Sequence, residues 1–290
     1  MRPFLPFLSK LVADKGTSIE QGVAFGAHHL ALDIFRPLHA APRAPIILFL
    51  HGGAWIMGNR AEYYFVGTVL AARGFTTVIP DYRKFPKVRF PAFVEDAAAA
   101  YRWTAGTFAG DGQNRPIIVM GHSAGAHSAA LLALDQRYLA GAPAPAALIG
   151  FSGPYAMDAK TQLATRSIFA GATPADVRPA HFARPDAPPA LLIHGKLDMI
   201  VRSGNTAHLA QALSESGSAV ETMMVPGMAH LGVLLALARP LRWRAPVLAK
   251  VLGFLEGLGQ SPRPALPAPG GMLCTPELAL APPRATPPRV

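Results

Sequence analysis

Pro116-Ile117-Ile118-Val119-Met120-Gly121-His122-Ser123-Ala124-Gly125-Ala126-His127 opens as an apolar run rich in β-branched residues and stops at a glycine. A serine follows two places later, then a second glycine. Beyond it, Ala129-Ala130-Leu131-Leu132-Ala133-Leu134 suits a helix. Strand, sharp turn, helix is the setting in which G-x-S-x-G lifts a serine to the end of a sheet as a nucleophile. The serine of such a turn occupies a strained backbone region, and the chain can turn that tightly only past very small neighbours. Gly121 and Gly125 supply them. In a chain with 27 glycines the spacing alone also fits a tight turn with a bystander serine. The strand before it and the helix after it give it weight.

Working outward, the same alternation of elements recurs. Toward the N-terminus, Val23 to Phe25 and His29 to Phe35 alternate as two antiparallel strands, closed by Arg36-Pro37. Pro45 to Leu50 is continuously apolar, as a strand covered on both faces must be. Ala61 to Arg73 reads as a helix ended by Gly74, Phe75 to Pro80 as a strand. Pro91 opens a long helix to Trp103 from a first turn where its missing N–H costs nothing. Toward the C-terminus, Ala147 to Ser152 reads as a strand and Ala190 to Gly195 as another. Asn205 to Ser216 follows as a helix, Val220 to Val225 as the last strand, and Pro246 to Leu258 as a closing amphipathic helix. Residues 154–188 hold prolines without clean periodicity and read as an excursion over the sheet edge. The first residues, up to about Asp14, suggest a short amphipathic helix. Strands alternating with helices predict a mostly parallel central sheet with helices on both faces and a site at the carboxyl ends of the strands. The predicted organisation is one domain over residues 1–260. Residues 261–290, with little to bury between their prolines, read as a disordered tail.

Composition narrows the function classes. The chain has 290 residues, 51% of them hydrophobic and 15% charged, enough to bury a large core. The net charge of +10 is carried by scattered residues. No basic run is interleaved with aromatics, so nucleic acid is not an expected partner. Cys274 is the single cysteine, which rules out a disulfide framework or a cysteine metal site within one chain. Pro3, Pro6 and Lys10 interrupt the apolar N-terminus and make a poor signal peptide. Leu231 to Ala238 is too short to span a bilayer. The expectation is a cytoplasmic protein without stable membrane insertion.

A serine hydroxyl needs a base to take its proton and an acid to orient the base. Asp198 stands just past the strand ending at Gly195, and His230 on a glycine-containing loop just past the strand ending at Val225. The order Ser123, Asp198, His230 is that of α/β-hydrolase triads. His194 ends a strand and precedes the acid, which suits a structural histidine bonded to backbone. His208 reads as a helix surface residue. Asp158, Asp176 and Asp186 belong to the excursion. His51-Gly52-Gly53-Ala54-Trp55 follows the third strand, where small residues let main-chain donors approach a negative oxygen. Gly53, Ala54 and Ala124 are the expected oxyanion donors. Trp55, Met57, Tyr82 and Met199, with Met157, Met228 and Leu231, flank these motifs as candidate walls of an apolar substrate pocket.

These motifs, together with Asp81-Tyr82-Arg83 and Phe90-Pro91 with Asp96, resemble the α/β-hydrolase superfamily. The nearest branch is the hormone-sensitive-lipase-like carboxylesterases, with the small bacterial esterases, kynurenine formamidases and prenylcysteine methylesterases. The resemblance covers about Leu32 to His230 and departs at Ala54, where many relatives carry a third glycine. It implies the α/β-hydrolase fold with a small cap, no metal, no organic cofactor, and a small-molecule ester as substrate. The same fold and triad serve several acyl-transfer reactions, so arylformamidase and peptidase activity are the alternatives within the enzymes. A non-catalytic binding protein of the same fold is the alternative outside them.

Overall fold

Ile46–Leu50 is buried at every position, and its side chains split between two cores. Ile46, Leu48 and Leu50 point to one face of the sheet, Ile47 and Phe49 to the other. Period-two alternation with both faces apolar is what a central strand between two helical layers requires. The computed structural model describes residues 14, 16–39, 43–109, 115–157 and 163–260. Eight strands form one sheet: β1 (Thr17–Phe25), β2 (Leu30–Pro37), β3 (Ile46–Leu50), β4 (Thr77–Pro80), β5 (Ile117–His122), β6 (Ala147–Phe151), β7 (Ala190–Gly195) and β8 (Val220–Val225). Their spatial order is β1-β2-β4-β3-β5-β6-β7-β8. Pairs β1–β2 and β2–β4 are antiparallel and the others parallel. Leu50 pairs with Gly121, Gly121 with Gly150, and Gly195 with Val225, so the carboxyl ends of the central strands line up along one edge.

Helices cover both faces. On one lie α2 (Ala92–Ala109), α3 (Ala124–Leu134) and α6 (Gly204–Glu215); on the other, α1 (Tyr64–Ala71), α7 (Gly232–Leu235) and α8 (Val247–Gln260). This is the α/β-hydrolase sheet that the sequence predicts. The helix predicted from Ala61 begins instead as a 3₁₀ turn, Arg60–Tyr63, because the Asn59 side chain accepts from the Ala61 N–H. The excursion contains two four-residue helices, α4 (Leu163–Arg166) and α5 (Pro174–Val177), and a 3₁₀ turn at Pro179–Phe182. It lies against α3, where the His127 ring donates to the Val177 carbonyl at 2.7 Å. The expected N-terminal helix before Asp14, the tail from 261 onward with Cys274, and Asp158 lie outside the described residues.

Candidate active site

Ser123 sits between β5 and α3 at φ 55° and ψ −121°, a region that costs a non-glycine residue about 1–3 kcal/mol. Its N–H donates to Phe151 of the neighbouring strand at 2.8 Å, which pins the turn to the sheet. The flanking glycines supply space. A Cβ on Gly121 would collide with the Gly125 carbonyl, and one on Gly125 with the Leu50 carbonyl. Helix therefore packs directly on strand.

The loops after β7 and β8 bring Asp198 and His230 to it. The Ser123 hydroxyl donates to His230 Nε2 at 2.8 Å, and His230 Nδ1–H donates to Asp198 Oδ2 at 2.7 Å. The second bond fixes the tautomer that leaves Nε2 free to accept a proton. Asp198 Oδ1 accepts the N–H groups of Ile200 and Val201 at 3.0 and 2.9 Å. Burial works to raise the Asp198 pKa, but the Val201 N–H and His230 outweigh it and hold the carboxyl below its ordinary 3.8. Asp198 therefore stays ionised at neutral pH. His194 is buried, as a structural residue should be. Its Nε2–H donates to Val201 O at 2.8 Å beside Asp198 Oδ2 at 3.2 Å, and its Nδ1 accepts from Thr206 at 2.7 Å.

The loop after β3 curls beneath this group. Gly53 has φ 130°, and a Cβ there would collide with the Met57 carbonyl. Gly53 O accepts from the N–H groups of Ile56 and Met57 at 3.0 and 2.9 Å. No acceptor is paired with the N–H groups of Gly53, Ala54 or Ala124 among the described residues, and Ala124 opens α3, where the first amides lack helical partners. His51 Nδ1–H donates to the Gly52 carbonyl at 2.7 Å. A trans peptide points its N–H opposite its carbonyl, so this bond also turns the Gly53 N–H away from the His51 ring.

Two of the four candidate pocket residues are buried. Tyr82 is buried; its ring stacks on His51 at 4.2 Å and its hydroxyl donates to His51 O at 2.8 Å, so it braces the loop from behind. Trp55 is also buried, edge-on to His127 and Phe169. The excursion residue Phe169 holds the Trp55 ring inward, and His51 holds the Tyr82 ring. Met57 and Met199 are exposed. An open cavity of about 550 Å³ next to Phe90 and Arg102 touches none of the triad residues.

One residue escapes the sequence reasoning. His122 is buried, with Nε2–H donating to the His230 carbonyl at 3.2 Å and Nδ1 facing the Tyr63 hydroxyl at 3.4 Å. Burial, aided by His230, pushes its pKa down to about 3. It is a neutral strut under the base loop. The only signal for it is its place beside the serine. Among the described residues no group of three or more His, Cys, Asp or Glu is arranged to hold a metal.

Curated relatives include the esterase LipQ of Mycobacterium tuberculosis, 28% identical over 88% of this chain and 66% of its own. LipC of the same organism is 30% identical over 69% of this chain and 56% of its own. The isoprenylcysteine α-carbonyl methylesterase of Arabidopsis thaliana is 30% identical over 70% and 54%. This chain thus spans roughly half to two thirds of these relatives' lengths. Among solved structures, Thermogutta terrifontis esterase 2 phosphorylated by paraoxon aligns at TM-score 0.71 and 25% identity, over 84% of this chain and 95% of that one. A truncated carbohydrate esterase from gut microbiota, at 20% identity and TM-score 0.73 over 86% and 99%, shares the fold. The BD-FAE family model matches residues 32–213, from β2 through the elbow and the acid loop into α6, and the chain belongs to that family within the α/β-hydrolase superfamily.

Proposed function

We propose that this protein is a serine hydrolase of small carboxylic esters, working through an acyl-enzyme on Ser123. The observation that carries the reading is the chain of contacts from Ser123 Oγ through His230 to Asp198, 2.8 and 2.7 Å long. His230 takes the hydroxyl proton as Oγ attacks the ester carbonyl. The tetrahedral oxygen gains its negative charge beside the N–H groups of Gly53, Ala54 and Ala124, fixed dipoles that need no reorganisation. His230 returns the proton to the leaving alcohol, and the same steps with water release the acid. Asp198 orients the imidazole and stabilises its transient positive charge.

In this reading residues 1–260 form the catalytic unit. Residence in the cytoplasm is part of the same proposal, supported by a single cysteine that leaves no intrachain disulfide. The names of the relatives as esterases support the reaction class, and the paraoxon adduct of the Thermogutta enzyme suggests the probe. Wild-type protein should hydrolyse p-nitrophenyl acetate and should be inactivated by paraoxon, with one adduct on the peptide holding Ser123. Ser123→Ala should lose on the order of a millionfold in rate, keeping only what the oxyanion donors and binding supply. A variant that retained a tenth of the activity would place the nucleophile elsewhere.

A further inference from the structure

Seven large apolar residues are exposed among the described residues, and five of them stand on two loops at the carboxyl edge of the sheet, on either side of Ser123. Ile56 and Met57 close the turn that binds Gly53 O. Leu197, Met199 and Ile200 surround Asp198 and are 59%, 89% and 77% exposed. This second loop is not slack. The Leu197 N–H donates to Met228 O at 2.9 Å, the Asp198 N–H to Gly195 O at 3.1 Å, and the Ile200 N–H to the Asp198 carboxylate at 3.0 Å. The bonds that turn Asp198 inward also hold its neighbours out in water. Lys196 and Arg202 flank them, both exposed, and neither forms an ion pair among the described residues. An apolar tip between basic shoulders, on a chain of net charge +10, is suited to the interface of an anionic bilayer.

We propose that the face around Ser123 docks reversibly on an anionic phospholipid surface. Leu197, Met199 and Ile200 enter the headgroup layer, Lys196 and Arg202 meet lipid phosphates, and Ile56 and Met57 form the second contact. This is surface docking: no helix among the described residues is long and apolar enough to cross a membrane. A second copy of the chain fits the face less well, because a two-fold pairing through this loop sets Lys196 and Arg202 against their own copies. The inference does not depend on the ester-hydrolase reading and is tested on protein that cannot turn over.

The test uses full-length Ser123→Ala protein co-sedimented with vesicles of phosphatidylcholine containing a quarter phosphatidylglycerol, and with phosphatidylcholine alone. Binding should favour the anionic vesicles and weaken as salt rises. Leu197→Ser, Met199→Ser and Ile200→Ser together should reduce partitioning at least about tenfold, since the buried apolar area drives it. Lys196→Glu with Arg202→Glu should abolish the preference for anionic lipid. Met199→Glu alone, at the most exposed position, serves if the triple variant does not fold. Absence of binding to the anionic vesicles would overturn the proposal, as would partitioning unchanged in well-folded variants. So would a wild-type dimer in light scattering that becomes monomeric in the triple variant without any lipid effect.

Discussion

Ala54 and Trp55 hold φ of 51° and 60°, consecutive residues in a region that disfavours side chains. Ala54 stands where many relatives of the superfamily carry a third glycine, and its backbone has the conformation that glycine would adopt freely. Ala54→Gly should therefore stabilise the protein by about 1 kcal/mol, read as a rise in the urea midpoint. A fall would mean that the loop is set by something other than local strain. The hydrogen-bonded chain Ser123–His230–Asp198 was legible in the sequence because each residue follows a readable strand and the three types together belong to a chemistry with few alternatives. His122 was not, since nothing in G-x-S-x-G requires a histidine there and its partner is the backbone of residue 230. Replacing it should act through His230. His122→Ala should lower ester turnover about tenfold to a hundredfold, the size of loss that misplacement of a reacting group brings. His122→Gln, whose amide can reach the same carbonyl, should restore part of it. Loss of activity that tracked only the melting temperature, with no rescue by glutamine, would reduce His122 to core packing. Asp198→Asn should be less harmful than His230→Ala by roughly ten- to a hundredfold, because it leaves the proton acceptor in place.

At the scale of elements, the buried strands were the readable part. Ile46–Leu50, Ile117–His122, Ala147–Phe151 and Ala190–Gly195 are almost wholly apolar runs bounded by turn residues, and every position in them is buried. Short elements gave no such pattern. The four residues of α7 and the 3₁₀ turn at Arg239–Arg244 complete too few turns to show a period, and contacts with the rest of the molecule define them. The setting of Tyr82 was unreadable for a related reason. Its ring is placed by His51, 31 residues earlier, and sequence neighbourhood to the triad motifs carried no sign of that stacking. The excursion is held in the same long-range way, by a buried bond from the middle of α3 together with bonds such as those from the Phe90 N–H to Ile168 O and from Arg184 to Leu134 O. His127→Ala removes the donor to Val177 O and leaves that carbonyl unpaired, which should cost about 1–3 kcal/mol in addition to the lost ring packing against Trp55 and Phe169. Limited proteolysis should then cut first within residues 163–188. Cleavage first in any other loop would show that the excursion does not hang on this bond.

For the whole molecule, four buried histidines set the response to acid. Burial is the first cause in each: it lowers His51 and His127 to about 4, His122 to about 3, and His194 also below the ordinary 6.5. A group whose folded pKa is depressed takes up its proton more readily in the unfolded chain. Its contribution to stability is therefore complete above 6.5 and is lost as pH falls from there toward the folded value. Near pH 5 the three histidines with values of about 3 and 4 stay neutral in the folded protein and are charged in the unfolded one. Unfolding then binds about three protons, and stability falls by about 4 kcal/mol per pH unit. The depressed carboxylates Asp14, Asp176 and Asp198 add little there, because their contribution is retained down to about 3.8. Against a typical domain stability of about 5–15 kcal/mol, the chain should unfold on acidification between roughly pH 6 and pH 4. Urea midpoints should be level from pH 8 to 7 and drop steeply below 6.5, and in His127→Phe the slope should lose about one proton. A midpoint that held level down to pH 5 would mean that these rings are already charged in the folded protein, with neighbouring carboxylates such as Asp81 beside His51 and Asp198 beside His194 outweighing burial.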